Sequence, residues 1–207
     1  IVTGAMLLTN QTFRRLFRSE TVLGADGIGL REVTVLFTDL KGSTALYERI
    51  GDLKAFALVQ QHFDRLGMVV GANGGAIVKT IGDAVMAAFQ RPVDAVRAAF
   101  EMLEQIERFN GEQGADDLVL KIGIHRGPSI AVTLNQSLDF FGHTVNVAAR
   151  VQALADADEV YVTDDVYRSD GVAALLGEVD SRDAQLRGIQ KQVRVHRALR
   201  RPRQHAS

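Results

Sequence analysis

Two aspartates give the first chemical signal. Asp39 closes the apolar run Val33-Thr34-Val35-Leu36-Phe37, and Asp83 stands in the Ile81-Gly82-Asp83 turn between two further apolar runs. Two nearby carboxylates repel unless a cation lies between them. Two acids completed by substrate phosphates and water are a usual way to hold Mg²⁺. Directly behind Asp39, Lys41-Gly42-Ser43-Thr44 opens a helix, and the free amides of a helix N-terminus receive phosphate. No G-x-x-x-x-G-K-[ST] motif occurs, so a metal–nucleotide site here is not a P-loop. Each feature also has an ordinary structural use. An Asp beside Gly suits a turn, and Ser43 or Thr44 suits the N-cap of its own helix. The two acids rise above that reading because both fall at one predicted sheet edge.

A second constellation is Asp139-Phe140-Phe141-Gly142-His143-Thr144-Val145-Asn146-Val147-Ala148-Ala149-Arg150. Asn146 and Arg150 are four apart and share a helix face. The small Ala148 and Ala149 beside them permit close approach. Arginine suits charge that builds on a phosphate. The plain alternative is a capping Asn and an exposed Arg.

The elements that must position these residues follow from periodicity and punctuation. Residues 1–20 read as one short amphipathic helix, with Phe13, Leu16 and Phe17 opposed to Arg14, Arg15 and Arg18, and 23–29 reads as a Gly-rich linker. Glu32–Phe37 is a buried strand. Thr44 to Ala72 is helical, with a break at Gly51-Asp52 and an end at Asn73-Gly74-Gly75. Ala76–Thr80 and Ala84–Phe89 form a hairpin with Gly82 in the tight position. Pro92 starts a helix to Asn110. Val119–His125 and Ser129–Leu134 read as two strands joined at Arg126-Gly127-Pro128. Helix Thr144–Leu154, strand Val160–Thr163, a short helix from Asp164 and a strand pair at 179–186 and 192–199 complete the order. The polar tail 200–207 reads as frayed. The fold class is α+β, an α/β sandwich: a ferredoxin-like βαββαβ core, with helices on one face of a mixed sheet and additional C-terminal α/β elements.

The bulk numbers exclude several function classes. With 46% hydrophobic residues in 207, one domain can build a substantial core. A net charge of −1 gives no general pull toward nucleic acid or an anionic membrane. The absence of cysteine removes disulfides, thiolate zinc sites and a thiol nucleophile. No apolar run reaches membrane-spanning length. The chain starts at Ile1, which leads us to expect a piece of a longer or processed protein with a regulatory domain upstream.

The segments "FTDLKGST", "KTIGDAVMAAF" and "DFFGHTVNVAAR" together resemble the three signature segments of class III nucleotidyl cyclases, the adenylyl and guanylyl cyclase catalytic domain. The resemblance spans about residues 30–200, leaving 1–29 as an N-terminal helix and linker and 201–207 as a tail. It implies that Asp39 and Asp83 hold two divalent ions per site, Mg²⁺ or Mn²⁺. It implies that Lys79 and Asp139 read the base, and that this pair selects adenine rather than guanine. Asn146 resembles the ribose-positioning residue and Arg150 the arginine that stabilises charge at the α-phosphate. The resemblance implies that Lys41, Gly42, Ser43 and Thr44 form the phosphate-binding turn, and that Arg187 or Lys191 is the candidate for the triphosphate. All six principal positions are filled, unlike in degenerate members that only bind or regulate. Ser43, Phe141 and His143 depart from the residues most frequent in the family. The implied activity is adenylyl cyclase, ATP to cyclic AMP and pyrophosphate, in a cytoplasmic catalytic segment. Lys79 and Asp83 lie four apart around a tight turn, and the family serves one nucleotide from both by pairing two chains head to tail. A homodimer with two shared sites is therefore expected, and the alternatives are a guanylyl cyclase or a non-catalytic nucleotide-binding domain.

Overall fold

The computed structural model describes residues 4–16, 27–113, 118–134 and 137–199. The expected helix at 1–20 is two short ones, α1 (Gly4–Leu8) and α2 (Gln11–Leu16). Its Phe17 and Arg18, most of the Gly-rich linker and the C-terminal tail lie outside the described residues. Strand β1 (Ile28–Leu40) is longer than its apolar run and takes in the end of that linker. Helices α3 (Ser43–Ile50) and α4 (Asp52–Ala72) are separated at Gly51, and Asn73 caps α4. Hairpin β2 (Ala76–Ile81) and β3 (Ala84–Phe89) follows, then helix α5 (Pro92–Gln113). Beyond it come β4 (Leu120–Leu134), β5 (Ser137–Phe141), α6 (His143–Gln152), β6 (Glu159–Thr163), α7 (Asp164–Tyr167), α8 (Val172–Leu176), β7 (Asp180–Ala184) and β8 (Val193–Leu199).

The sheet runs β2-β3-β1-β4-β6-β8-β7, with β5 paired to β4. Its first four strands are antiparallel neighbours in ferredoxin-like order, and β6 lies parallel to β4. Side chains alternate across the pleat. Leu36, Leu40, Val85, Ala87, Ile122 and Ile124 pack toward α4 and α5. Val33, Val35, Phe37, Met86 and Ala88 pack the other way, with Ala148 of α6, Phe140 of β5 and Leu8 of α1. The expectation of helices on one face thus holds for α4 and α5, whereas α6 covers the opposite face.

The expected join at Arg126-Gly127-Pro128 is instead the middle of one continuous strand. Leu30 pairs with Ser129 and Val33 with Gly127, so Arg31 and Glu32 bulge past Pro128. Proline has no N–H to donate to the ladder. The bulge on β1 absorbs the missing bond and lets β4 run on. Further back on β4, α6 lies directly on the strand at Gly123. A Cβ there would sit 2.1 Å from the Gln152 backbone nitrogen. Gly123→Val is therefore expected to lift the end of α6 and cost roughly 1–3 kcal/mol or more of stability, read from a denaturant midpoint.

The core contains a buried, unpartnered histidine. His62 on α4 is fully buried, and among the described residues neither ring nitrogen has a hydrogen-bond partner. Burial lowers its pKa from 6.5 to about 4. At His125 of β4 burial outweighs the opposing pull of Asp165, and with a push from His143 lowers the pKa to about 4 as well. Both histidines are neutral in the fold, while the unfolded chain takes up protons below its own pKa of 6.5. Their contribution is intact above pH 6.5 and is lost as the pH falls toward 4, by roughly 3 kcal/mol each. The urea midpoint should fall across that window, and His62→Leu should remove about half of the fall.

Candidate functional site

Asp39 and Asp83 come to one end of the sheet. Thr38 pairs with Val85 across β1 and β3, and its hydroxyl accepts the Val85 amide at 3.2 Å. Asp39 is the next residue on β1, and Asp83 lies two before Val85 in the two-residue turn Gly82-Asp83. Gly82 has φ +62°, which fits a II′ turn with glycine first. The Asp39 carboxylate is paired with Lys121 of β4 at 2.7 Å. One oxygen of Asp83, Oδ2, is buried without a hydrogen-bond partner among the described residues. A buried orphan carboxylate oxygen is costly unless something binds it. Among the described residues no group of three or more His, Asp or Glu could hold a metal. Asp39 and Asp83 together offer the hard oxygen donors that suit a divalent cation completed by substrate phosphate and water. Lys121 was missed by sequence reasoning. Only the β1–β4 register places it opposite Asp39, and no short motif encodes that register.

The phosphate turn differs from expectation in detail. Gly42, not Ser43 or Thr44, is the N-cap of α3, with φ +74° and no side-chain cap. The Lys41 amide donates to Val119 O at 2.8 Å. The Lys41 ammonium pairs with Asp156, whose carboxyl it holds below the usual range chiefly by that hydrogen bond. The amides of Ser43 and Thr44 stand in the first turn of α3, where no intrahelical acceptor exists.

Lys79 and Asp139 meet. Lys79 Nζ lies 2.6 Å from Asp139 Oδ2, joining β2 to β5, two strands that do not pair in the sheet. Asp139 is nearly buried, and its other oxygen accepts the Phe140 amide at 2.8 Å. Asn146 and Arg150 are both exposed on α6, while Val147, Ala148 and Val151 of the same helix are buried. Among the described residues no hydrogen bond or ion pair links Asp39 and Asp83 to these four. Arg187 and Lys191 are exposed in the β7–β8 connection. Through β4, β6 and β8 the registers put that connection at the sheet end opposite Asp39. A cavity of about 660 Å³ lies beside His125, Arg126, His143, Asp164 and Arg194, and none of the six principal residues lines it. His143 is exposed there.

The profile of the adenylate and guanylate cyclase catalytic domain matches residues 29–196. The chain belongs to that family. This cyclase domain is 30% identical over 154 residues to an adenylate cyclase of Anabaena cylindrica, covering 67% of the chain and 31% of that protein. It is 33% identical over 138 residues to adenylate cyclase 1 of Rhizobium meliloti, covering 60% of the chain and 21% of that protein. The domain thus spans about a third or less of these relatives' length. Its fold matches the adenylyl cyclase CyaB from P. aeruginosa with a TM-score of 0.74 at 21% identity, over 85% of this chain and 98% of the other. It also matches the guanylate cyclase domain of RhGC from Catenaria anguillulae, solved in complex with GTP, with a TM-score of 0.75 at 21% identity, over 84% and 100%. Those two likenesses bear on the fold. No described helix is long and apolar enough to cross a membrane.

Proposed function

We propose that this cyclase domain converts ATP to 3′,5′-cyclic AMP and pyrophosphate at sites shared between two copies of the chain. The observation that carries the reading is the Lys79–Asp139 pair, a cationic donor and an anionic acceptor held 2.6 Å apart. Adenine offers a matching edge, with N1 accepting from Lys79 and the 6-amino group donating to Asp139. The names of the adenylate cyclase relatives support the same choice.

Each remaining residue has one task. Asp39 and Asp83 hold Mg²⁺ or Mn²⁺, two ions per site, with Asp83 Oδ2 as the donor that lacks a partner in the fold. Bound there, the cations supply charge neutralisation at the triphosphate and acidify the ribose 3′-hydroxyl. The open amides of Ser43 and Thr44 receive phosphate oxygens, and Gly42 admits them without a side chain. Asn146 holds the ribose so that its 3′-oxygen faces the α-phosphorus. Arg150, one turn further along α6, neutralises the charge that builds on the α-phosphoryl oxygens as pyrophosphate leaves. The hydroxyl proton departs to water or substrate.

A shared site explains why the two residue sets are unconnected within one chain. Asp39 and Asp83 stand at one sheet end, and Arg187 and Lys191 at the other. A second copy paired head to tail brings its own Lys79, Asp139, Asn146 and Arg150 to the Asp39 and Asp83 of the first. Ile130 and Phe141 pair in register across β4 and β5, and both are exposed, 45% and 58%. They offer apolar area to that second copy.

Purified protein given Mn²⁺ or Mg²⁺ and either ATP or GTP, with products identified by mass, tests the reading. GTP belongs in the test because guanine also presents an acceptor beside a donor on that edge. Cyclic AMP from ATP alone is expected. Cyclic GTP as the main product would reverse the base assignment, and no product from a dimeric sample would leave a binding domain.

A further inference from the structure

Helix α2 is bonded to β2 and β5 beside the Lys79–Asp139 pair. Arg14 of α2 donates from Nε to Ile77 O at 3.2 Å and from Nη2 to Val78 O at 3.2 Å, and Nη2 also donates to Leu138 O. Gln11 Oε1 accepts the Ile77 amide at 2.8 Å. Leu8 of α1 is buried in the cluster beneath, with Phe37 and Phe140. Arg14 Cζ lies 5.8 Å from the Phe140 ring centroid. Val78 and Leu138 directly precede Lys79 and Asp139 in the chain, and Ile77 is one residue further back.

Two features make this more than a docked terminus. Among the described residues β2 is at the edge of the sheet, so one side of its backbone has no strand partner there. Its register with β3 slips between Ile77 and Lys79, placing a bulge at Val78. A bulge frees backbone groups and re-aims the side chains beside it. Arg14 takes the carbonyls on both sides of that irregularity. Its planar fork, which cannot deprotonate, reaches a third carbonyl on β5 with the same group. Because β2 and β5 are not neighbours in the sheet, they are tied by the Lys79–Asp139 pair and by Arg14.

We propose that Arg14 is a positioning residue for base recognition: it clamps the β2 bulge to β5 and so fixes the spacing of Lys79 and Asp139. The inference rests on the reading of that pair as the base reader. It also gives the segment ahead of the catalytic domain a physical route to the site. A shift of α2 moves the Ile77, Val78 and Leu138 carbonyls, and with them both recognition side chains.

The test measures kcat and KM for ATP and for GTP in the 207-residue chain. Arg14→Ala, Arg14→Lys and Lys79→Ala are compared with the parent, with melting temperatures recorded for each. Arg14→Ala should raise the KM for ATP and lower the ATP-to-GTP ratio of kcat/KM by roughly tenfold, the effect of one or two charge-assisted hydrogen bonds. The kcat should change much less. Arg14→Lys, which keeps the charge but reaches fewer carbonyls, should recover part of the ratio. Equal losses on both nucleotides, or a rise in turnover, would overturn the proposal while leaving the base reader intact, provided that Lys79→Ala itself shifts the ratio. If Lys79→Ala leaves the ratio unchanged, the base-reading assignment fails and the inference fails with it. If Arg14→Ala does not fold, the ratio in Arg14→Lys decides alone, and an unchanged value overturns the proposal.

Discussion

Arg150→Ala is expected to lower kcat on ATP by roughly 10²- to 10³-fold while leaving KM within a few-fold of the parent value. The reason is where the residue stands. Arg150 is exposed on α6, on the face away from buried Val147, Ala148 and Val151. Removing its side chain therefore opens no cavity and unpairs no partner among the described residues. Stability should stay within about 0.5 kcal/mol, as for an ordinary surface substitution. In the proposed role the guanidinium acts where charge grows during the reaction, so the loss should fall on kcat. A steady-state profile with an unchanged melting curve checks this. A large rise in KM with kcat preserved would make Arg150 a ground-state phosphate contact instead.

Asp83→Ala is expected to abolish measurable turnover, a loss of at least roughly 10³-fold, because one of the two proposed cation donors disappears. The same change removes the buried, unpartnered Oδ2. Relief of that desolvation should offset the loss of turn geometry, leaving the fold as stable as the parent or slightly more so. Opposite movements of activity and stability are the signature of a group kept for a ligand. Mn²⁺ titration followed by electron paramagnetic resonance should show weakened binding in Asp83→Ala without nucleotide turnover being involved. Asp39→Ala should lose activity equally but should also lose stability, since it leaves the Lys121 ammonium without the partner it holds at 2.7 Å.

Several parts of this picture were legible in the sequence for physical reasons. The hairpin could be read because Gly82-Asp83 is a turn signal between two apolar runs, and both runs are strands. The break at Gly51 and the end at Asn73 could be read because glycine and asparagine take backbone shapes that end helices. The adjacency of β1 and β3, and so the common sheet end of Asp39 and Asp83, followed from the ferredoxin-like order. What escaped was decided by pairing at long range. Arg126-Gly127-Pro128 has the composition of a turn, and only the bulge on β1 at Arg31-Glu32 lets a strand pass through it. Strand β5 was hidden within a stretch read for its side chains, and its pairing with β4 carries Asp139 to Lys79. Lys121 and Arg14 act across 82 and 63 or more positions of sequence, where no local pattern points to them. Asp39, Asp83, Asn146 and Arg150 were singled out by type and spacing, and Lys79 and Asp139 by the family resemblance, whereas Lys121 and Arg14 beside them were not.

Mixing Asp39→Ala with Arg150→Ala chains tests most directly whether one nucleotide is served by two chains. Each variant alone has both of its sites broken. In a mixed dimer one site carries both substitutions and the other carries neither. With equal amounts and free exchange, half of the dimers are mixed, and cyclic AMP production should return to about a quarter of the parent rate. No recovery, with mixed dimers verified by differential tagging, would mean that Asp39 and Arg150 serve the same nucleotide from one chain, and the shared site would be wrong.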